Sequence, residues 1–360
     1  MPPDDLPPDA ARPAAPRPTP RLVLVAGAGR SGTSTVAGIL QRLGLVVPQP
    51  EVLTDETNPK GFSESQWVVD FHDDLLYHAN VLVSDARPLA WSRTGQFAER
   101  PGATGNLGGW LDEQLAAGSD LLIKDPRLSW FLPLWTAVAR QQGVEPAFVT
   151  MLRPPAEVVG SKRTYYNSQL QDAHGVAAWL NMLLNTERAT RGAARTFVRY
   201  HDLLDDWEAV IETIRRDLSL PQEVDEGLRS DVNSFVDPGL RRVALTWDDL
   251  DLPERLATMG RRAWEALDRL PHGGQDAPDV LAELDELHEE YGAYYLESEA
   301  VATSSVHAAR VAARRAPRPT DITGIAGRDA ARALAYRSAR RLPGWMRRMV
   351  PDGARTRLRG

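Results

Sequence analysis

The sequence predicts an α/β domain, with a central parallel sheet flanked by helices and a helical C-terminal extension. Three observations carry that expectation. Apolar runs of about 4–6 residues alternate with helix-compatible stretches of about 10–15, the rhythm of βαβ units. The runs are apolar throughout rather than alternating, as strands covered on both faces are. The segment behind the first run is built from Gly and Ser, and those behind the second and third carry Pro.

Residues 1–20 hold eight prolines and few apolar side chains, so they are expected to be disordered. From Arg21 the pattern changes. Leu22-Val23-Leu24-Val25-Ala26 reads as a strand, a Gly/Ser turn follows, and Thr33 to Leu43 has helical spacing. Leu121-Leu122-Ile123 is a second strand, ended by Lys124-Asp125-Pro126, with a helix over 129–142. Residues 147–152 form a third, and Pro154-Pro155 behind it suits the first turn of a helix, where a missing N–H leaves no bond unmade. Thr196-Phe197-Val198 is a fourth, before a helix near 206–218. Helical spacing also marks 66–78, 107–117, 176–191, 253–270 and 280–296. Residues 301–320, rich in Ala, Arg and Ser, read as a linker. The chain thus divides into a Pro-rich N-terminus (1–20), one α/β domain (21–300) and a basic linker and tail (301–360).

None of the 360 residues is cysteine, which excludes disulfides, thiolate metal sites and cysteine nucleophiles. No run approaches the ~18 apolar residues of a membrane span. Asp4, Asp5 and Asp9 stand where a secretory signal needs an apolar stretch, so a cytoplasmic protein is expected. The net charge of −7 is unevenly spread: residues 301–360 carry 14 Arg against three Asp, which leaves −18 on the first 300. Nucleic acid is not expected as a partner, because duplex binding needs a basic face. In the tail, Leu334, Leu342, Trp345, Met346 and Met349 interleave with Arg332, Arg337, Arg340, Arg341, Arg347 and Arg348. That is the pattern of a helix on an anionic membrane surface, here the inner one; docking on the acidic body and a solvated tail are the alternatives. Only Lys60, Lys124 and Lys162 among the 42 basic residues are lysines.

Chemistry concentrates at two strand ends. Gly27-Ala28-Gly29-Arg30-Ser31-Gly32-Thr33-Ser34 joins the first strand to its helix, and successive backbone N–H groups in such a loop wrap an anion at the helix N-terminus. The glycines have Walker A spacing, yet Thr33 stands where that motif needs the lysine that reaches the terminal phosphates. The cation comes earlier, at Arg30. Behind the third strand, Arg153 offers a planar fork for phosphate oxygens, and Ser161, two turns into the next helix, adds a hydroxyl.

Arg30-Ser31-Gly32-Thr33-Ser34 after an apolar strand resembles the 5′-phosphosulfate loop of sulfotransferases that use 3′-phosphoadenosine 5′-phosphosulfate (PAPS). Arg153 followed eight residues later by Ser161 resembles their 3′-phosphate site. Asn58-Pro59-Lys60-Gly61-Phe62-x-Glu64 and Lys124-Asp125-Pro126-Arg127 are similar to segments of bacterial and carbohydrate-type members. Arg199-Tyr200-His201-Asp202-Leu203 is similar to the segment near the adenine, with His201 in place of Glu, and Phe235 to Arg242 to one that closes over the nucleotide. The resemblance implies a P-loop-like three-layer fold and PAPS as co-substrate without a metal. It implies that Arg30 touches the sulfuryl group, that Gly29 and Ser31 to Ser34 hold the 5′-phosphate, that Arg153 and Ser161 take the 3′-phosphate, and that Tyr200 and Arg241 complete the site.

The reaction expected is transfer of the sulfuryl group to an acceptor hydroxyl, with Arg30 and Lys124 stabilising the leaving oxygen. Glu64 is the expected base, with Glu56, His72 and Asp125 as rivals. Trp67, Trp91, Trp110, Trp130 and Trp135 are placed beside the acceptor, which suggests a carbohydrate or glycolipid, another hydroxylated metabolite being the alternative. Two other readings remain: a P-loop phosphotransferase or NTPase whose magnesium ligand is Asp125, and a binding protein that performs no reaction.

Overall fold

Four apolar runs become a wholly parallel sheet: β1 (Leu22–Gly27), β2 (Leu121–Lys124), β3 (Pro146–Leu152) and β4 (Arg195–Arg199), in the order β2-β1-β3-β4. The computed structural model describes residues 20–54, 60–166, 172–236, 245–274 and 276–315. The expected disordered segment up to residue 19, together with Glu56, Asn58, Pro59, Arg241 and the basic stretch from 329 to 350, lies outside them. Register places Leu22 opposite both Leu121 and Pro146, and Phe148 opposite Arg195. All four strands therefore end along one edge.

Alternation assigns the strand side chains to two cores. Leu22, Leu24, Leu121, Ile123, Phe148, Leu152 and Phe197 face one layer of helices. These are α2 (Gln66–Ala79), α3 (Leu89–Gly95), α4 (Pro101–Leu115), α5 (Leu132–Gln141), α6 (Pro155–Tyr166), α7 (Asp172–Ala189), α11 (Glu254–Asp268) and the start of α12 (Pro278–Arg315). Val23, Val25, Leu122, Val149, Met151 and Val198 face the other, made by α1 (Thr33–Arg42), α8 (Tyr200–Asp205), α9 (Trp207–Asp217) and α10 (Glu226–Phe235). A sheet covered on both faces explains why the runs carry no polar alternation. The expected three-layer α/β class is the one observed.

Helix starts follow their caps. The Asp206 carboxylate accepts from the Ala209 amide at 3.0 Å and Asp225 from Leu228 at 2.7 Å, opening α9 and α10. The structure differs from expectation in three places. Helix α4 begins at Pro101, ahead of Leu107, because Ala103, Leu107 and Leu111 share a buried face that outweighs the glycines between them. Helices α3, α8 and α10 add to those the sequence predicts; α10 has its signal in the Asp225 cap and in Leu228, Val232 and Phe235 at helical spacing. Residues 301–315 are helical where composition suggested a linker, since the run is rich in alanine, the best helix former, and has no Gly or Pro.

The chain divides after Leu296. In the first unit the α12 side chains Val280, Leu284, Leu287 and Tyr291 complete the core. In the second the described part is helix, with nearly every side chain exposed. No helix among the described residues is long and apolar enough to cross a membrane.

Candidate active site

The strand order creates the site. From β1 the chain crosses to β2 on one side, while β3 and β4 lie on the other, so the direction of winding reverses between β1 and β3. In open parallel sheets such a reversal leaves a crevice beyond the carboxyl ends of the two strands. The loop carrying Arg30 leaves β1 and Arg153 leaves β3, one on each side of it.

The β1 loop is tightly constrained. Arg30 has φ +76° and Gly32 φ +89°, and the Ser31 amide bonds the Ala28 carbonyl at 3.1 Å. A left-handed arginine costs on the order of 1–2 kcal/mol, strain of the kind that collects at functional sites. Gly32 is required twice over: a Cβ there would lie 2.2 Å from the Tyr200 ring, in a backbone region side chains avoid. No side chain caps α1, and no carboxylate lies in its first turn. The first N–H groups of a helix have no intrahelical acceptor, so this end favours an anion. Ser31 Oγ is fully buried and has no hydrogen-bond partner among the described residues. An orphaned hydroxyl, an uncapped helix and a loop that only glycine can close together fit a phosphate group.

Both signatures meet at this loop. The Arg30 Nε–H donates to Ser161 Oγ at 3.1 Å, and Arg153 Nη1–H donates to the Arg30 carbonyl at 3.0 Å. The Arg153 guanidinium lies over the Tyr200 ring, 4.6 Å from its centroid. Its Nε–H bonds Glu157 Oε2 at 2.9 Å, and His201 Nε2 reaches the same carboxylate at 3.0 Å. Burial would raise the Glu157 carboxyl, but bonds from His201 and Arg153 outweigh that and hold it below the usual range. Arg30 thus rests on the serine expected to hold a different phosphate.

Lys124 ends β2 and forms a second group of residues. Its Nζ bonds Ser34 Oγ at 2.8 Å, Glu64 Oε1 at 2.5 Å and the Phe62 carbonyl at 3.2 Å. The loop reaching across from α2 is pinned by the Val52 amide on the Glu64 carbonyl at 2.8 Å and by Ser63 Oγ on Gln41 at 3.0 Å. Burial pushes the Glu64 carboxyl up from 4.5, opposed by Lys124, and the second carboxylate oxygen has no bond among the described residues. Ser34 joins this group to the β1 loop. Of the expected residues, Gly29, Arg30, Ser31, Gly32, Thr33, Ser34, Glu64, Lys124, Arg153, Ser161 and Tyr200 all lie along this one edge.

The rival bases divide. Trp135 can only donate, and its indole N–H meets His72 Nε2 at 2.8 Å, while the His72 Nδ1–H is directed at Asp125 Oδ2 at 2.7 Å. Asp125 Oδ1 accepts from the Arg127 amide and guanidinium at 3.0 and 2.8 Å. Burial alone would raise Asp125, but these partners hold it at about 2. Both rivals are buried in the core with these polar atoms already bonded.

Trp130 and Trp135 are likewise core residues, not pocket walls, while Trp67 stacks between Phe71 and Trp110 at 4.9 and 4.4 Å. Of the other lysines, Lys60 bonds the Phe235 carbonyl, and Lys162, pushed down to about 8 by burial, bonds Ser84 Oγ at 2.8 Å. Glu157 was not among the expected site residues. Its position four residues after Arg153 is the signal that marks it.

Fold and side chains define an α/β protein with Arg30, Lys124 and Arg153 gathered at the carboxyl edge of its sheet. No family model and no curated protein matches the chain. Two solved structures are similar to it, both sulfotransferases. One is the sulfotransferase domain of a Synechococcus olefin synthase, 16% identical over 78% of this chain and 96% of that one, with a TM-score of 0.36. The other, from Mycobacterium tuberculosis, is 16% identical over 71% of this chain and 78% of that one, with the same TM-score. A likeness this loose says nothing about chemistry, which has to come from the side chains.

Proposed function

We propose that the protein is a sulfotransferase that moves the sulfuryl group of PAPS to an acceptor hydroxyl. The observation that carries this reading is the meeting of the two strand-end turns. Arg30, Ser31 and the α1 N-terminus fit one phosphate, and Arg153 with Ser161 supplies donors for a second beside it. PAPS carries two such groups, on the 5′ and 3′ positions of one ribose.

In the reaction the acceptor oxygen attacks sulfur, and the bond between sulfur and the bridging phosphate oxygen breaks with its electron pair left on that oxygen. The acceptor proton passes to Glu64, whose free oxygen is made more basic by burial. Lys124 anchors the other Glu64 oxygen and, through Ser34, ties the base to the phosphate loop. Fixed cations and N–H groups aimed at the departing oxygen supply the stabilisation. A hydroxylated carbohydrate, glycolipid or smaller metabolite is the proposed acceptor, and the basic tail is proposed to contact an anionic membrane surface.

Phosphotransfer by an NTPase is the second reading, favoured only by the loop spacing. Against it, Thr33 replaces the phosphate-reaching lysine, and both oxygens of Asp125 are bound by Arg127 and His72. Calorimetry separates the two. Adenosine 3′,5′-bisphosphate is expected to bind at least tenfold more tightly than ATP with magnesium; equal affinity would refute the sulfotransferase reading. Loss of label from PAPS to a hydroxyl acceptor then distinguishes an enzyme from a binding protein.

A further inference from the structure

We propose that Glu157, backed by His201, is a positioning residue that fixes the Arg153 guanidinium for a nucleotide 3′-phosphate and so sets the preference for 3′-phosphorylated nucleotides. The inference rests on the reading of Arg153 and Ser161 as a phosphate site.

A carboxylate beside an expected phosphate site is electrostatically unfavourable, since like charges repel across a shared cation. Three contacts show what Glu157 does. The Glu157 carboxylate holds the Nε–H of Arg153 at 2.9 Å, the Arg30 carbonyl holds one Nη1–H at 3.0 Å, and the Tyr200 ring supports the plane from below at 4.6 Å. Edge, end and face are all constrained. An arginine has five N–H donors; the two bonds use one on Nε and one on Nη1, which leaves Nη2 and the second Nη1 hydrogen for a ligand. Without Glu157 the side chain would be restrained only at its tip and ring face, and ordering it would be charged to binding.

His201 completes the arrangement from another element. It lies in the first turn of α8, its Nε2 is 3.0 Å from Glu157, and its neighbour Tyr200, which starts the helix, supplies the supporting ring. One short segment after β4 therefore steadies both the carboxylate and the guanidinium it grips. The charged or titratable side chains facing Glu157 are Arg153, just past the end of β3, and His201 from α8, and its carboxylate is shared between them. Committing the charge in this way limits its repulsion of an incoming phosphate. Arg153 stands just ahead of α6 and Glu157 in the first turn of that helix, four residues on.

The readout is the ratio of affinities for adenosine 3′,5′-bisphosphate and adenosine 5′-monophosphate, measured by calorimetry on the full chain. The wild type is expected to prefer the bisphosphate by at least about thirtyfold. Glu157→Ala is expected to reduce that ratio at least tenfold while affinity for the monophosphate changes less than threefold. In turnover it should raise the KM for PAPS and leave kcat within about twofold. His201→Ala is expected to act in the same direction more weakly, and His201→Gln, which keeps an N–H donor, to restore the ratio. Should Glu157→Ala fail to fold, Glu157→Gln and the His201 pair decide the matter. A wild-type ratio in the variants, or equal loss for both nucleotides, overturns the inference and leaves the phosphate site standing. A wild type that ignores the 3′-phosphate overturns both.

Discussion

Glu64 and Arg153 illustrate how a single side chain takes its chemistry from its surroundings. Glu64 sits in a buried ion pair, where loss of hydration raises its carboxyl and Lys124 holds it in place. As a base it works only when deprotonated, so the acidic limb of kcat/KM is expected above the ordinary value of 4.5, with the rate rising through it. Glu64→Gln should lower kcat by ~10²–10⁴-fold and remove that limb, while calorimetry finds the affinity for adenosine 3′,5′-bisphosphate little changed. Arg153→Ala should do the reverse. Two charge-assisted bonds to a phosphate are lost, so bisphosphate binding should weaken by about 10–100-fold with a far smaller effect on thermal unfolding. Affinity that survives this change would remove Arg153 from the donor site. The chemistry-bearing residues themselves were visible in the sequence because each belongs to a local motif: Arg30 to a Gly/Ser turn, Arg153 and Ser161 to a strand end and the helix behind it. For Glu157 the spacing from Arg153 is a local signal, but the second half of its role is a contact with His201, 44 residues on, which no local pattern shows.

Among the elements, the turn from β1 into α1 is the most constrained. Its geometry depends on Gly32, against which Tyr200 packs so closely that no side chain fits. Gly32→Ala should destabilise the fold by at least about 1–2 kcal/mol through the left-handed backbone alone. It should also displace Tyr200, on which Arg153 rests, and so weaken bisphosphate binding more than a change of stability can explain; calorimetry beside chemical denaturation measures both. The strands and most helices were legible because burial on two faces and helical periodicity leave strong local patterns. Short elements were not. Helices α3 and α8 have too few turns to show a period, and the helical state of 301–315 came from alanine propensity set against a composition that read as a linker.

For the molecule as a whole, one buried network joins α2, the end of β2 and α5. Asp125 binds His72 and Arg127, Arg127 reaches Asp73 at 2.7 Å, and Trp135 caps His72. The folded value of Asp125, about 2, lies below its ordinary 3.8. Its contribution is therefore complete above pH ~4 and lost as pH falls towards 2, and it amounts to roughly 2 kcal/mol. Urea unfolding should show wild type and Asp125→Asn furthest apart at neutral pH and converging over that window; a constant gap would contradict the assignment. Every described site residue, and the core up to Tyr291, precedes the division at Leu296. A chain ending at Leu296 is thus expected to unfold cooperatively near the wild-type temperature and to keep its affinity for adenosine 3′,5′-bisphosphate.

Alone, the order of residues determined the strands, the turns that leave them and the charge each turn carries, because backbone geometry and two-sided burial act on neighbours in the chain. Which turns meet was settled only when the sheet assembled as β2-β1-β3-β4. That order sets Arg30 on Ser161 across 131 residues and Lys124 on Glu64 across 60, and it closes His72 and Asp125 into the core. No local pattern encodes those pairings, since a side chain's partner across a crevice depends on how distant segments cross, and its basicity on what that crossing leaves exposed to water.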